Sequence, residues 1–175
     1  MDVIGKLKGP SNSVVKVGVK RSIVDTLLTF NITRGNIPVV SIDAAYMVDN
    51  QTGLIKVNRF SSTTYREFMT SLEYLIEQHE LSHLIIDLRG NPGGYLDQAT
   101  KILSQLFDKK ELLVYTEGKK HNRKDYKSGG SMTFPIQKIV ILIDEKSASA
   151  SEIMAGAVQD NDRGLIIGRR SFGKG

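Results

Sequence analysis

An α/β fold is predicted by two patterns in this chain of 175 residues. Short apolar runs of strand length alternate with amphipathic runs of helical period, and glycine-rich breaks separate them. The order strand, helix, strand, helix, strand then implies a parallel sheet with right-handed crossovers.

Taken in order, Val3, Ile4 and Leu7 share one helical face, Gly9-Pro10 ends that segment, and Ser11-Asn12-Ser13 makes a turn. Val15, Val17 and Val19 alternate with Lys16, Gly18 and Lys20, the period of a half-buried strand. Residues 23–36 read as a linker. Residues 37–48 and 54–59 read as strands, joined through a hairpin loop at 49–53. Thr64-Tyr65-Arg66-Glu67 has the form of a capping box, and Phe68, Met69, Leu72, Leu75 and Ile76 follow at helical spacing. The apolar run 84–88 suits a strand buried on both faces. Gly90-Asn91-Pro92-Gly93-Gly94 breaks it, and Leu96, Ala99, Leu103, Leu106 and Phe107 continue as a helix. Residues 112–115, 139–143 and 165–167 are further strands, with a helix over 150–159. The basic, Gly/Ser-rich stretch 117–133 reads as the least ordered part.

Composition narrows the chemistry. With 40 % hydrophobic and 25 % charged residues the chain is an ordinary globular one. The formal charge of +5 comes from 24 basic and 19 acidic residues, and its excess sits in runs such as Lys119-Lys120-His121-Asn122-Arg123-Lys124. That run reads as a solvated loop. Aromatic residues do not alternate with its cations, which disfavours nucleic acid as a partner. There is no cysteine, so disulfides, thiol nucleophiles and thiolate metal sites are excluded. No apolar run approaches the roughly 20 residues that span a bilayer, and no signal peptide is present in this chain.

Two places carry chemistry. In 90–94, successive backbone N–H groups could cradle an anion. The loop lacks the phosphate-loop lysine and the G-x-G-x-x-G spacing, so its plain reading is a tight strand-to-helix turn. Ser149-Ala150-Ser151-Glu152 fits S/T-x-x-E, which makes Ser149 a helix N-cap. An N-cap hydroxyl also faces the positive end of the helix dipole beside the free N–H of Ala150. A tetrahedral oxyanion is stabilised by such donors. A serine nucleophile needs a base. His79 and His83 lie around the end of the 64–78 helix and His121 in the basic run, away from Ser149 in sequence pattern. Lys174 is the better candidate. A lysine with the ordinary pKa of about 10.4 is neutral only ~0.04 % of the time at pH 7, and a shift of ~3 units costs roughly 4 kcal/mol. An apolar, glycine-lined enclosure around Phe172-Gly173-Lys174-Gly175 is the environment that would impose it.

Four motifs occur in order: Asp87-Leu88-Arg89-Gly90-Asn91-Pro92-Gly93-Gly94, Ser147-Ala148-Ser149-Ala150-Ser151-Glu152-Ile153, Gln159-Asp160, and Gly168 through Phe172-Gly173-Lys174-Gly175. Together they resemble the carboxy-terminal processing, or tail-specific, serine protease family. The resemblance covers roughly residues 37–175. More weakly, the helix–turn–strand of residues 1–22, with Leu7-Lys8-Gly9-Pro10, resembles the last elements of the PDZ domain that precedes the protease core in that family. It implies a ClpP/crotonase-like core of stacked strand–helix units with a partial PDZ-like N-terminal segment. The domains would be a PDZ-like remnant at 1–22, a linker at 23–36 and a protease core at 37–175, incomplete at its C-terminus.

The resemblance also implies a Ser/Lys dyad. Ser149 aligns with the nucleophile, Lys174 with the general base, and Asp160 with a supporting acidic position. The N–H of Ala150 would form half of the oxyanion hole and that of Gly93 or Gly94 the other half. Ser147 and Ser151 carry no catalytic role. No metal or cofactor is implied. Substrates would be proteins with accessible C-terminal tails, in an extracytoplasmic compartment, with peripheral membrane association open for the parent. Truncation would leave this fragment inactive if the site needs residues beyond Lys174. The competing readings are a non-catalytic peptide- or ligand-binding module, an acyl-CoA enzyme of crotonase type, and a basic nucleic-acid binder.

Overall fold

A computed structural model describes residues 3–35, 40–78, 80–119 and 121–174. The chain divides into two compact units, Met1–Val39 and Val40–Gly175. The strand expected from residue 37 therefore begins outside the described residues, and His79 lies outside them too.

The first unit holds a short helix α1 (Val3–Leu7) and two antiparallel strands, β1 (Val14–Arg21) and β2 (Val24–Thr33). The linker expected at 23–36 is thus a correction: most of it is β2, paired along β1 from Val14↔Thr33 to Arg21↔Val24. The signal was present, since Val24, Thr26, Leu28, Phe30 and Ile32 alternate with Asp25, Leu27, Thr29 and Asn31. The Arg34 guanidinium donates to Leu7 O (2.8 Å), Lys6 O (3.3 Å) and Ser13 Oγ (2.9 Å). A cation there satisfies the carbonyls that a helix end leaves without partners. None of the unit's described apolar side chains is fully buried.

The second unit is a five-stranded sheet in the order β3 (Ile42–Met47), β4 (Thr52–Val57), β5 (His83–Asp87), β8 (Lys138–Ile143), β9 (Leu165–Gly168). β3 pairs antiparallel with β4, as a hairpin requires, and the remaining pairs are parallel. The helices α2 (Thr64–Gln78), α3 (Leu96–Leu106) and α4 (Ala150–Asp160) supply the crossovers. Their buried residues (Phe68, Leu72 and Leu75; Ile102, Leu103 and Leu106; Met154 and Val158) form one core with Ile55, Val57, Leu84, Ile86 and Ile141 of the sheet.

Four further expectations are corrected. Along β5, buried Leu84 and Ile86 alternate with half-buried His83 and Ile85, so only one face is fully covered. The segment read as least ordered contains β7 (His121–Lys127), which pairs with β6 (Leu112–Gly118). Aromatics do accompany its cations: Arg123 lies 4.1 Å from the Tyr115 ring centre and Lys124 lies 5.0 Å from that of Tyr126. Finally, Glu67 closes no capping box on Thr64. Its Oε2 accepts the N–H of Ser41 at 2.6 Å, tying α2 to the chain ahead of β3.

Candidate active site

Neighbouring strands stand ~4.8 Å apart, so the loops leaving the carboxyl ends of β5, β8 and β9 are forced together. Open parallel sheets hold their sites at that edge. The loops are 88–95, 144–149 and 169–174.

The first loop is organised by Asn91, which is wholly buried. Its Nδ2 donates to Val57 O (2.9 Å) at the end of β4, and its Oδ1 accepts the Gly93 N–H (2.8 Å). Its own carbonyl accepts the Ala148 N–H (3.1 Å) and the Ser151 hydroxyl (3.0 Å). Ser147 makes a second staple, donating from Oγ to Leu88 O at 2.8 Å. Beside the loop, Asp87 takes two hydrogen bonds from the Arg89 side chain (2.9 and 2.7 Å) and one from its N–H. Burial alone would raise the Asp87 pKa, but the bonds from Arg89 outweigh it and hold the carboxyl below its ordinary range.

Gly93 and Gly94 have φ of +93° and +146°, where side chains are strained. A Cβ on Gly93 would lie 2.5 Å from Ala148 O, 2.8 Å from Ser149 Cβ and 2.9 Å from Ala150 N. The glycine is therefore pressed against the serine turn. Of the two candidate donors here, Gly93 N–H is engaged by Asn91 Oδ1. No described hydrogen bond engages the N–H of Gly94 or of Ala150.

Ser149 is the N-cap of α4 but not an ordinary one. Its φ/ψ of 57°/−114° match the first central position of a type II′ turn, a place glycine usually fills. The turn is closed by Ser151 N–H donating to Ala148 O at 3.1 Å. A non-glycine residue in such a conformation is held there by its surroundings, which is typical of functional positions. The same device, a sharp strand-to-helix turn, exposes the nucleophilic serine of α/β-hydrolases. Ser149 stays partly exposed, whereas Ala148 and Ala150 are buried.

The third loop is held by Glu152, a residue for which the sequence suggested only capping. Its Oε2 accepts the N–H of Ser149 and the N–H of Lys174, each at 2.8 Å. Its Oε1 accepts the Ser171 hydroxyl (2.8 Å) and the Gly173 N–H (2.6 Å). Two nitrogens sharing one oxygen can stand no further apart than twice 2.8 Å, or 5.6 Å. The main chains of Ser149 and Lys174 are thus fixed within one side-chain length of each other. Phe172 N–H adds a bond to Ser147 O at 3.0 Å. Lys174 lines a cavity of about 440 Å³ with Gly90, Pro92, Lys146, Ala148 and Phe172. The apolar enclosure expected around its amine is not formed by the described residues: Lys174 is exposed, and Phe172 is 65 % exposed.

Asp160 is not brought to this cluster. It ends α4, about 16 Å along the axis from Ser149. His83 begins β5 at the sheet's opposite edge, and His121 begins β7. No described histidine stands in the three loops. Among the described residues no group of His, Cys, Asp and Glu could hold a metal ion. Asn91 and Glu152 are the two positioning residues that sequence reasoning missed. The S-x-x-E spacing pointed to Glu152 but not to its bonds across 19, 21 and 22 residues.

Partial burial would raise the Glu152 pKa, yet the hydrogen bonds from Ser171, Ser149, Gly173 and Lys174 outweigh it and lower it. A lowered folded-state pKa contributes stability above the ordinary carboxylate range and loses it as pH falls through the folded value. Glu152→Gln will therefore cost about 1–3 kcal/mol at neutral pH. In melts from pH 7 downward, its deficit against the parent will shrink as the parent's carboxylate is protonated. A deficit that is constant with pH would contradict the clamp.

Residues 51–175 match the profile of Peptidase family S41. The chain is 36 % identical over 180 residues to the carboxy-terminal-processing protease of Bartonella bacilliformis, covering 99 % of this chain and 40 % of that protein. It is 33 % identical over 176 residues to the carboxyl-terminal-processing protease of a Picosynechococcus species, covering 99 % and 42 %. Among solved structures, the photosystem II D1 C-terminal processing protease superposes with a TM-score of 0.70 at 27 % identity, over 99 % of this chain and 48 % of that one. The chain thus spans about 40 % of the length of these curated relatives.

Proposed function

The chain belongs to peptidase family S41, and on that premise we propose that it carries a serine endopeptidase site in which Ser149 is the nucleophile and Lys174 the general base. The observation that carries the reading is the single Glu152 oxygen that holds both main chains. Ser149 Oγ attacks the scissile carbonyl carbon and its proton passes to the lone pair of Lys174 Nζ. The oxyanion so formed accepts hydrogen bonds from the N–H groups of Ala150 and Gly94. Collapse expels the amine, which takes the proton back from Lys174 and leaves an acyl-enzyme. Water, deprotonated by Lys174 Nζ, then attacks the acyl carbon, and the bond to Ser149 Oγ breaks as Oγ takes the proton back and the acid is released. Asp160 takes no direct part in these steps. The substrates are proposed to be proteins cut near their C-terminal tails, in keeping with the carboxy-terminal processing that the relatives' names give for those proteins, and the compartment is proposed to be extracytoplasmic. The unit of α1, β1 and β2 is proposed as part of a PDZ-like module. No described helix is long and apolar enough to cross a membrane.

The test is a serine-directed fluorophosphonate followed by intact and peptide mass spectrometry. A single adduct will map to Ser149, and Lys174→Ala will slow its formation about a hundredfold or more. Peptide binding without any adduct would replace the peptidase with a non-catalytic binding module.

A further inference from the structure

A groove of about 400 Å³ lies between β6 and α4, lined among others by Val114, Tyr115, Ile153, Gly156, Ala157 and Asp160. Its helical side belongs to α4, the helix that Ser149 caps. Ile153, Gly156 and Asp160 are spaced i, i+3 and i+7, which is one face of α4, and Ser149 is the N-cap at the start of that helix. On the opposite side, β6 has β7 as its one strand partner among the described residues. The outer edge of β6 is turned to α4, because the Leu112 carbonyl accepts Asn161 Nδ2 at 3.2 Å. Unpaired peptide groups along a strand edge take up extended chains. The floor has room: a Cβ on Gly156 would meet nothing within 4 Å. At the far end Asp160 is exposed, and its carboxylate makes no ion pair or hydrogen bond among the described residues.

We propose that this groove receives an extended stretch of the polypeptide that Ser149 cleaves, and that Asp160 selects a lysine or arginine in it. The ~16 Å from Ser149 to Asp160, divided by ~3.3 Å per extended residue, places that cation about five residues from the scissile bond. Apolar side chains of the stretch cover Ile153, Ala157 and Val114, and the cation meets the one carboxylate at the groove's end. Asp160 is then a specificity residue rather than the supporting acid of the dyad. The inference rests on the peptidase reading for its register but not for the binding itself.

The test separates the two. In the Ser149→Ala chain, which cannot turn over, fluorescence anisotropy measures short fluorescein-labelled apolar peptides carrying either lysine or norleucine at one position. The lysine peptide will bind about threefold tighter, the worth of a solvent-exposed ion pair. That preference will vanish in Asp160→Asn and fade at high salt. Gly156→Leu, which fills the groove and raises helix propensity by roughly 0.8 kcal/mol, will weaken both peptides about tenfold or more without lowering the melting temperature. Equal affinity of the two peptides, or a Gly156→Leu chain that binds like its parent, overturns the proposal. Mass-spectrometric mapping of the parent's cut sites reads the register. Sites clustered about five residues from the lysine support it, and sites scattered around it refute it. Charge-dependent binding blocked by Gly156→Leu, with no cleavage by the parent, would sink the peptidase and leave the groove standing.

Discussion

A Ser149→Gly chain will hydrolyse nothing, yet it will melt at a higher temperature than the Ser149→Ala chain. Both variants lose the hydroxyl proposed as the nucleophile, so on that reading both fall by about 10⁶ in turnover, the usual worth of a serine nucleophile. Their folds differ because Ser149 sits at φ 57° and ψ −114°. An L-residue there carries roughly 1–2 kcal/mol of steric cost that glycine escapes. Alanine keeps the strain and also gives up the cap hydroxyl, worth about 1 kcal/mol, whereas glycine at an N-cap loses only a few tenths. Glycine's greater freedom in the unfolded chain returns about 0.5–1 kcal/mol of that gain. A net advantage of about 1 kcal/mol remains, or about 2–4 °C for a chain of this size. Thermal melts of the two variants decide it. A glycine variant no more stable than the alanine one would mean that the turn is relaxed and that Ser149 is simply a cap.

Gly94→Ala will prevent the chain from folding stably, with a loss above ~3 kcal/mol in urea titration. The new Cβ would sit 2.0 Å from Phe60 O, 2.7 Å from Phe60 C and 3.0 Å from Phe60 Cα, all backbone. Phe60 cannot retreat, because its N–H donates to Gly93 O (3.0 Å) and its carbonyl accepts Tyr95 N–H (2.8 Å). Those bonds join the segment after β4 to the loop after β5, so relief of the clash breaks the bridge that shapes the site. Gly90→Ala is the matched control. Gly90 also has a positive φ, +77°, but a Cβ there meets nothing within 4 Å. It will cost only the dihedral penalty of about 1 kcal/mol. Equal losses at the two positions would show that conformation alone, not the contact with Phe60, requires glycine.

The alternation of apolar strand runs with helical runs marked β4, β5, β8, β9 and all three crossover helices, because all but the mostly exposed β9 bury a continuous face. β7 was not legible: His121-Asn122-Arg123-Lys124-Asp125-Tyr126-Lys127 has no apolar period, and its extended form comes from pairing with β6. β2 had the period but too many threonines and polar interruptions to stand out. At the site, the sequence pointed to Ser149, Ala150, Gly93, Gly94 and Lys174 as neighbours-to-be, and the fold brings their loops to one edge. Which glycine keeps an unengaged N–H was invisible, because it depends on where Asn91 Oδ1 points. So was the dihedral of Ser149. Asp160 could be placed on α4 but not near or far from the serine until the helix was known to run unbroken between them.

Most of the cross-links that aim Ser149 end on main-chain atoms: the carbonyls of Leu88, Asn91 and Ala148, and the amides of Ser149, Gly173 and Lys174. Peptide groups are the same whatever side chain they bear. Evolution can therefore exchange Leu88, Ala148 or Phe172 for other residues of similar bulk without re-aiming the hydroxyl. Drift in this region is constrained chiefly at the few side chains, Asn91, Ser147, Ser151 and Glu152, that reach out to grip the backbone.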